Sequence, residues 1–198
     1  YRESYGLYAV HGLLFNHEGT KRGEEFVTRK ITKGVSRIHH EIHNADKWRS
    51  RKGAPAIFAP LELGNLDAKR DWSDSEDFVN GVWLMLNQKS PKDYVLASGE
   101  THSIREFVEK AFTIGDLKGR WLGEGIEEKY VYEKNGWAPI PLVVINPDFH
   151  RPAEVELLLG DPSLAKQELG WDPKISFDKL VEKMVLYDIE LGRRHKTS

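Results

Sequence analysis

The sequence of 198 residues contains no cysteine. That excludes a disulfide-stapled scaffold and a thiolate metal site, and it fits a reducing compartment, with the cytoplasm as the default. An excess of charge is missing too: 29 basic against 31 acidic residues leave a formal net charge of -2. No broad positive field exists to attract nucleic acid or an anionic membrane, so any anion site has to be local. The longest apolar run, residues 7–15, is interrupted by His11 and is far too short to cross a bilayer. The chain opens on Tyr1 rather than Met, and Tyr1-Arg2-Glu3-Ser4-Tyr5-Gly6 has neither a signal-peptide pattern nor a tag-like composition. It reads as the end of a helix already under way, which predicts a fragment. A Gly-rich turn between a strand and a helix, the seat of a dinucleotide pyrophosphate, is also absent. Gly119, Gly123 and Gly125 imitate it with the wrong spacing and no strand pattern in front.

What is present is a packed interior, with 39 % hydrophobic and 11 % aromatic residues. Residues 7–15 are nearly continuously apolar after Gly6, which predicts a strand covered on both faces. Across residues 24–42, Val27, Ile31, Val35, Ile38 and Ile42 recur at spacings of three and four, so the segment predicts an amphipathic helix. Residues 44–55 carry Lys47, Arg49, Arg51, Lys52 and Gly53 without periodicity and predict an exposed loop before a strand at 59–63. Ser73 with Glu76, and Ser103 with Glu106, give two capping-box starts. The first helix would bury Phe78, Val79, Val82, Trp83 and Leu86; the second would bury Ile104, Phe107, Val108 and Ala111 and stop near Gly115. A short strand at 94–97 lies between them. Residues 116–141, rich in Gly, charge and aromatics, predict a small irregular subdomain rather than core sheet. Helices at 163–169, stopped by Gly170, and at 176–191, with Phe177, Leu180, Val181, Met184 and Val185 inward, finish the chain. Strands alternating with helices predict an α/β fold with a largely parallel sheet, and there are too few strands for a whole doubly wound domain.

Without a Gly-rich loop, phosphates have to be met by side chains, and an arginine fork suits two phosphate oxygens at once. One such segment runs from Gly64 to Trp72, where an apolar strand ends in a Gly turn followed by Lys69, Arg70 and Asp71. Another is His150-Arg151-Pro152-Ala153-Glu154, where Arg151 suits phosphates and Glu154 suits ribose hydroxyls. A third, Phe15-Asn16-His17-Glu18-Gly19-Thr20-Lys21-Arg22-Gly23, lies at the carboxyl end of the first predicted strand, where open α/β sheets bind their ligands. Each segment also has a plain reading, as surface ion pairs or as a histidine making a structural hydrogen bond.

Taken in order, five segments resemble the GDP-mannose 4,6-dehydratase family. They are Leu14-Phe15-Asn16-His17-Glu18, Phe26-Val27-Thr28-Arg29-Lys30, Leu63-Gly64-Asn65-Leu66-Asp67-Ala68-Lys69-Arg70-Asp71-Trp72, Ser98-Gly99-Glu100-Thr101-His102-Ser103 and Arg151-Pro152-Ala153-Glu154-Val155-Glu156. The resemblance continues through Leu159-Gly160-Asp161-Pro162-Ser163 and Leu169-Gly170-Trp171-Asp172-Pro173-Lys174. The family belongs to the extended short-chain dehydrogenase/reductases. The resemblance implies that residues 1–198 are the C-terminal portion of such an enzyme. Part of a doubly wound parallel Rossmann sheet would be interleaved with a smaller mixed α/β domain for the nucleotide sugar. It further implies that Asn16 contacts the sugar nucleotide, that His17 and Arg22 touch NADP, and that Val27, Lys30, Gly64, Arg70, Arg151 and Glu154 line the GDP pocket. The implied substrate is GDP-mannose, the implied cofactor NADP, and the implied assembly a homodimer or homotetramer. Hydride would leave C4 of the mannose, water would be lost across C5 and C6, and the hydride would return to C6. The family's catalytic tyrosine, lysine, threonine and glutamate lie upstream of the equivalent of Tyr1, so no catalytic residue is assigned to this chain. The sequence departs from the family at Gly19-Thr20-Lys21-Arg22, where Ser-Pro-Arg-Arg is usual, at His11 for asparagine, and at Ser73-Asp74 for Gly-His. A dehydratase or epimerase of another nucleotide sugar, and a noncatalytic binding module, are the competing readings.

Three further patterns carry little. Tyr130 and Lys134 have the Tyr-x-x-x-Lys spacing without helical periodicity around them. His39 and His43, beside His40, lack a third metal ligand. Trp121, Tyr132 and Trp137 are as consistent with a small core as with stacking on a base.

Overall fold

A computed structural model describes residues 1–52, 58–133, 139–149 and 155–195, with side chains except those of 45–52 and 195. In chain order the elements are α1 (Arg2–Tyr5), β1 (Gly12–Leu14), β2 (Asn16–Glu18), α2 (Val27–Lys52), β3 (Leu61–Leu63), β4 (Lys69–Arg70), β5 (Trp72–Asp74), α3 (Ser75–Leu86), β6 (Tyr94–Leu96), β7 (His102–Ser103), α4 (Ile104–Ile114), β8 (Arg120–Leu122), β9 (Lys129–Tyr132), β10 (Ile140–Ile145), β11 (Leu157–Leu158), α5 (Ser163–Leu169) and α6 (Phe177–His195). The fold is mixed α/β with parallel strand pairs. The chain divides into two units, each gathered from three separate segments. The first takes Tyr1–Gly19, Lys69–His102 and Val155–Leu180; the second takes Thr20–Ala68, Ser103–Glu154 and Val181–Ser198.

In the first unit β1 pairs with β6, β2 with β5, and β4 with β11, all three in parallel. The core is built from Phe78, Met85, Leu96, Ala165 and Trp171. The indole of Trp171 donates to the Asp77 carbonyl at 2.8 Å and stands edge-on to Phe78. The predicted strand over 7–15 shrinks to Gly12–Leu14, and it is exposed rather than covered on both faces. Its partner β6 lies beside it in the sheet, and Leu13 and Leu14 remain 54 % and 41 % exposed.

Helix α3 also departs from expectation at its start and in its face. Ser73 pairs with His17 in the β2–β5 ladder, so its backbone is committed to the sheet. Asp74 caps the helix instead, accepting from the Glu76 amide at 2.9 Å. The buried face is Asp77, Phe78, Gly81 and Met85. Val79, Trp83 and Leu86 point outward, at 70 %, 65 % and 52 % exposure. The reason is Gly81: a β-carbon there would stand 2.6 Å from Leu96 Cδ1 and 2.9 Å from Trp171 Nε1, so the helix sits close on its glycine side. Of the predicted stripe, Phe78 is buried and Val82 packs against the core, while the other three face outward.

In the second unit, α2 buries Ile31, Val35, Ile38 and Ile42 as its spacing predicts. It does not end at residue 42. It continues to Lys52, replacing most of the expected 44–55 loop, because no glycine or proline lies between Ile42 and Gly53; residues 53–57 lie outside the described residues. Residues 116–141 are not an irregular subdomain. They supply β8, β9 and the start of β10 to a four-stranded sheet of order β3-β10-β9-β8, in which β10 runs parallel to β3 and antiparallel to β9. Tyr130, Val131, Leu142 and Val143 are buried in it. The turn after β8 uses positive φ at Gly123 and Gly125, which accounts for the Gly-rich spacing without a ligand. Helix α4 carries both bonds of its capping box, with Ser103 Oγ accepting from the Glu106 amide and Glu106 Oε2 accepting from the Ser103 amide. Helix α6 begins in the first unit and continues in the second with Val181, Met184, Val185 and Asp188 buried.

Candidate functional site

The second unit brings together residues far apart in sequence around Phe149. Lys30 sits one turn into α2, and its ammonium lies 3.9 Å from the centre of the Phe149 ring. Burial pushes the Lys30 ammonium below the ordinary lysine value, and the nearby Glu62 carboxylate opposes that shift. Glu62 itself accepts from the Asn146 side-chain amide at 2.8 Å, across the β3–β10 pair. Gly64 follows β3 and passes under the same aromatic residue: a β-carbon there would lie 2.5 Å from the Phe149 carbonyl oxygen. Since that neighbour is backbone, it has no rotamer by which to move away. Gly64→Ala is expected to displace the turn at Pro147–Phe149 and lower stability by about 1–3 kcal/mol. Urea denaturation checks the loss. Val27, half-buried on the first turn of α2, lies one turn before Lys30 on the same helix face.

The turn after Gly64 is fixed by its own chemistry. Asn65 Oδ1 accepts from the Asp67 amide at 2.9 Å, and the first amides of α4, from Ile104 and Arg105, donate to Ala68 and Leu66 carbonyls. Arg105 then donates to Asp67 at 3.1 Å and to Glu128 at 2.6 Å, with its guanidinium over Trp121. The Glu128 and Asp67 hydrogen bonds hold the Arg105 pKa above its usual range. A cavity of about 350 Å³ opens here, bounded by Gly64, Asp67, Arg105, Gly123, Ile126 and Ile145.

The first unit holds Asn16, His17 and Arg70. Asn16 and His17 lie on β2, paired with Trp72 and Ser73 of β5. His17 Nδ1 lies 2.9 Å from the Phe15 carbonyl. A carbonyl only accepts, so Nδ1 carries the proton, and in the neutral ring Nε2 is left as an acceptor. Arg70 ends β4 and donates to the Lys69 carbonyl at 2.9 Å. Asp71, between Arg70 and Trp72, is wholly buried and accepts from Ser98 N, Ser98 Oγ, Gly99 N and Gly160 N at 2.8, 2.6, 3.0 and 3.3 Å. Sequence reading took Asp71 only as a neighbouring charge. Its part as the acceptor that ties three segments together is visible only once β6 and Gly160 are placed beside it.

Arg22 belongs to the second unit, with its guanidinium 3.4 Å over the Phe26 ring. Arg151 and Glu154 lie outside the described residues, as do Lys134 and Trp137. Tyr130 lies in a strand and not in a helix, and its hydroxyl accepts from the Gly119 amide. His39, His40 and His43 each have a ring nitrogen at 2.9 Å from a backbone carbonyl, on Gly115, Ile189 and His39 respectively. Among the described residues no group of three His, Asp or Glu could hold a metal, and no helix is long and apolar enough to cross a membrane. Trp121 donates to Glu109 and packs on Tyr130, which makes it part of the sheet's cover. Phe149 carried no signal in the sequence beyond standing two residues before Arg151.

The family model described as GDP-mannose 4,6 dehydratase matches residues 1–184. The GDP-mannose 4,6 dehydratase of Drosophila melanogaster is 48 % identical over 195 residues, covering 98 % of this chain and 45 % of the relative. That of Homo sapiens is 43 % identical over 193 residues, covering 98 % and 47 %. The chain thus spans about half the length of the curated relatives it matches. Among solved structures, the protein named RMD from Pseudomonas aeruginosa, complexed with NADPH, superposes with a TM-score of 0.68 at 17 % identity, covering 96 % of this chain and 50 % of that one. UDP-glucose 4-epimerase from Thermotoga maritima with UDP-glucose gives 0.67 at 18 % identity, covering 100 % and 49 %. At those identities the likeness concerns the fold alone.

Proposed function

Because this chain belongs to the GDP-mannose 4,6-dehydratase family, we propose that it supplies the nucleotide-sugar pocket of an NADP-dependent enzyme that converts GDP-mannose to GDP-4-keto-6-deoxymannose. The observation that carries this reading is the meeting of Lys30, Gly64 and Phe149, drawn from three distant segments, immediately before the Arg151-Pro152-Ala153-Glu154 run. In this reading Lys30, Val27 and Gly64 line the GDP pocket. Arg70 and Arg151 meet the diphosphate, Glu154 accepts from ribose hydroxyls, and Asn16 contacts the sugar nucleotide. The first unit is then the Rossmann portion and the second the sugar-nucleotide domain, in a homodimer or homotetramer at work in the cytoplasm.

The residues present fit NADP in kind. Arg22 is a fixed cation with a fork suited to a phosphate, and His17 presents an acceptor nitrogen on a tautomer set by Phe15. When bound, the cofactor supplies reversible hydride transfer. The part of this chain is to bind and orient: it neutralises the diphosphate and holds the hexose ring against the cofactor.

Calorimetric titration with GDP-mannose, UDP-glucose and dTDP-glucose tests the assignment, and preference for a pyrimidine nucleotide overturns it. Arg151→Ala is expected to weaken GDP-mannose binding by about 1.5–3 kcal/mol, as for loss of a charged hydrogen-bonding group. An unchanged dissociation constant rejects its role at the diphosphate.

A further inference from the structure

Helices α2 and α6 are joined by a charged pair that the pocket does not use. Arg29 is 6 % exposed and Asp188 3 %, with Arg29 Nη2 2.9 Å from Asp188 Oδ1. Thr32 Oγ1 donates to Asp188 Oδ2 at 2.7 Å, and Ser36 Oγ donates to the Asp188 carbonyl at 2.7 Å. The other arm of the Arg29 fork, Nη1, donates to the Thr20 carbonyl. Thr20 is the second residue of the segment between β2 and α2, and Arg22 lies two residues further on. The far end of that segment is fastened by the Phe26 amide to the Gly23 carbonyl and by the Lys30 amide to the Phe26 carbonyl. A buried ion pair is a poor means of gaining stability, because desolvating two charges cancels most of their attraction. An arginine between a fixed carboxylate and a loop carbonyl does have a geometric consequence: it sets where the loop begins. Lysine, with a single ammonium, cannot span both acceptors in the same plane.

We propose that the buried Arg29–Asp188 pair is a positioning device that holds the 20–26 segment, and with it Arg22, in the conformation that receives the phosphate of a phosphorylated dinucleotide. This rests on the cofactor reading of Arg22 given above. Arg29 touches no ligand, so its effect is exerted through the Thr20 carbonyl.

The test uses the complete enzyme, with NADPH binding followed by fluorescence, GDP binding by calorimetry and amide exchange of residues 20–26 by mass spectrometry. Arg29→Lys is expected to raise the NADPH dissociation constant about tenfold and to speed exchange across 20–26, with the GDP dissociation constant within about twofold of the parent. A purely structural role would weaken both ligands together and leave exchange in 20–26 no more affected than elsewhere, and that result overturns the proposal. Should Arg29→Lys fail to fold, Thr32→Val, which removes one bond to Asp188 and keeps both charges, carries the same test with an expected change of about threefold. No change in exchange for Thr32→Val likewise overturns it. Arg22→Ala separates the two ideas: normal NADPH binding in that variant sinks the cofactor reading, while faster exchange in Arg29→Lys still supports the clamp.

Discussion

Replacing Asp71 with alanine is expected to lower the unfolding free energy by about 3–5 kcal/mol, among the largest effects available in the first unit. The carboxylate is wholly buried and accepts three backbone amides, from Ser98, Gly99 and Gly160, together with the Ser98 hydroxyl. Alanine leaves those amides without their acceptor, with the Gly160 amide buried, and the cost of an orphaned buried donor exceeds the net worth of the bond it lost. Gly160 has little room to shift toward a new acceptor, since even a β-carbon there would run into Ala97 Cβ and lie 2.9 Å from Phe15 Cε2. Asn at position 71 keeps the volume and one acceptor oxygen but turns an amine toward donors, so about half the loss is expected. Urea denaturation of both variants reads the difference. A loss below about 1 kcal/mol for Asp71→Ala would mean that the carboxylate is not the acceptor holding these segments. On the diphosphate role proposed for Arg70, the preceding residue, the same change is expected to weaken GDP-mannose binding as well.

How much of this was legible beforehand divides along sequence distance. The α2 stripe and the Ser103–Glu106 box depend on residues three to four apart, and both stand where the spacing puts them. The α3 start fails by one residue because Ser73 is claimed by a partner strand from 56 positions away, His17, which no local rule weighs. Its face fails because Gly81, not the aromatic Trp83, is the residue that meets Leu96 and Trp171. The sheet in 116–141 was hidden for the same reason. Its closing partner β3 lies near residue 61, and the hairpin glycines read locally as irregular chain. At the candidate site, Lys30 and Gly64 were marked by resemblance, and their meeting point at Phe149 was not, since an aromatic in a turn has no periodicity to betray it. The Arg29–Asp188 pair was invisible as well: Arg29 stood inside a quoted motif, Asp188 inside an amphipathic helix, and nothing in either segment points to the other.

Asp188→Ala is the second large loss, again about 3–5 kcal/mol, because it leaves the Arg29 guanidinium buried without its carboxylate, meeting the Thr20 carbonyl and the Tyr187 ring instead. The pair is held at a cost even when intact: burial pushes the Asp188 carboxyl above its ordinary 3.8, against the opposing pull of Thr32 and Arg29. Removing both charges together, as Arg29→Met with Asp188→Leu, is therefore expected to recover most of the loss and to unfold within about 1–2 kcal/mol of the parent. Chemical denaturation of the two single variants and the double variant closes a cycle in which the coupling, not either single value, measures the pair. If the charges served stability alone, the restored double variant would bind every ligand normally. If they place the 20–26 segment, it regains its stability and its affinity for GDP, while NADPH binding stays weak because the Thr20 carbonyl has lost the donor that fixed it. A double variant as unstable as Asp188→Ala would instead show that α2 and α6 need the charged contact for their packing.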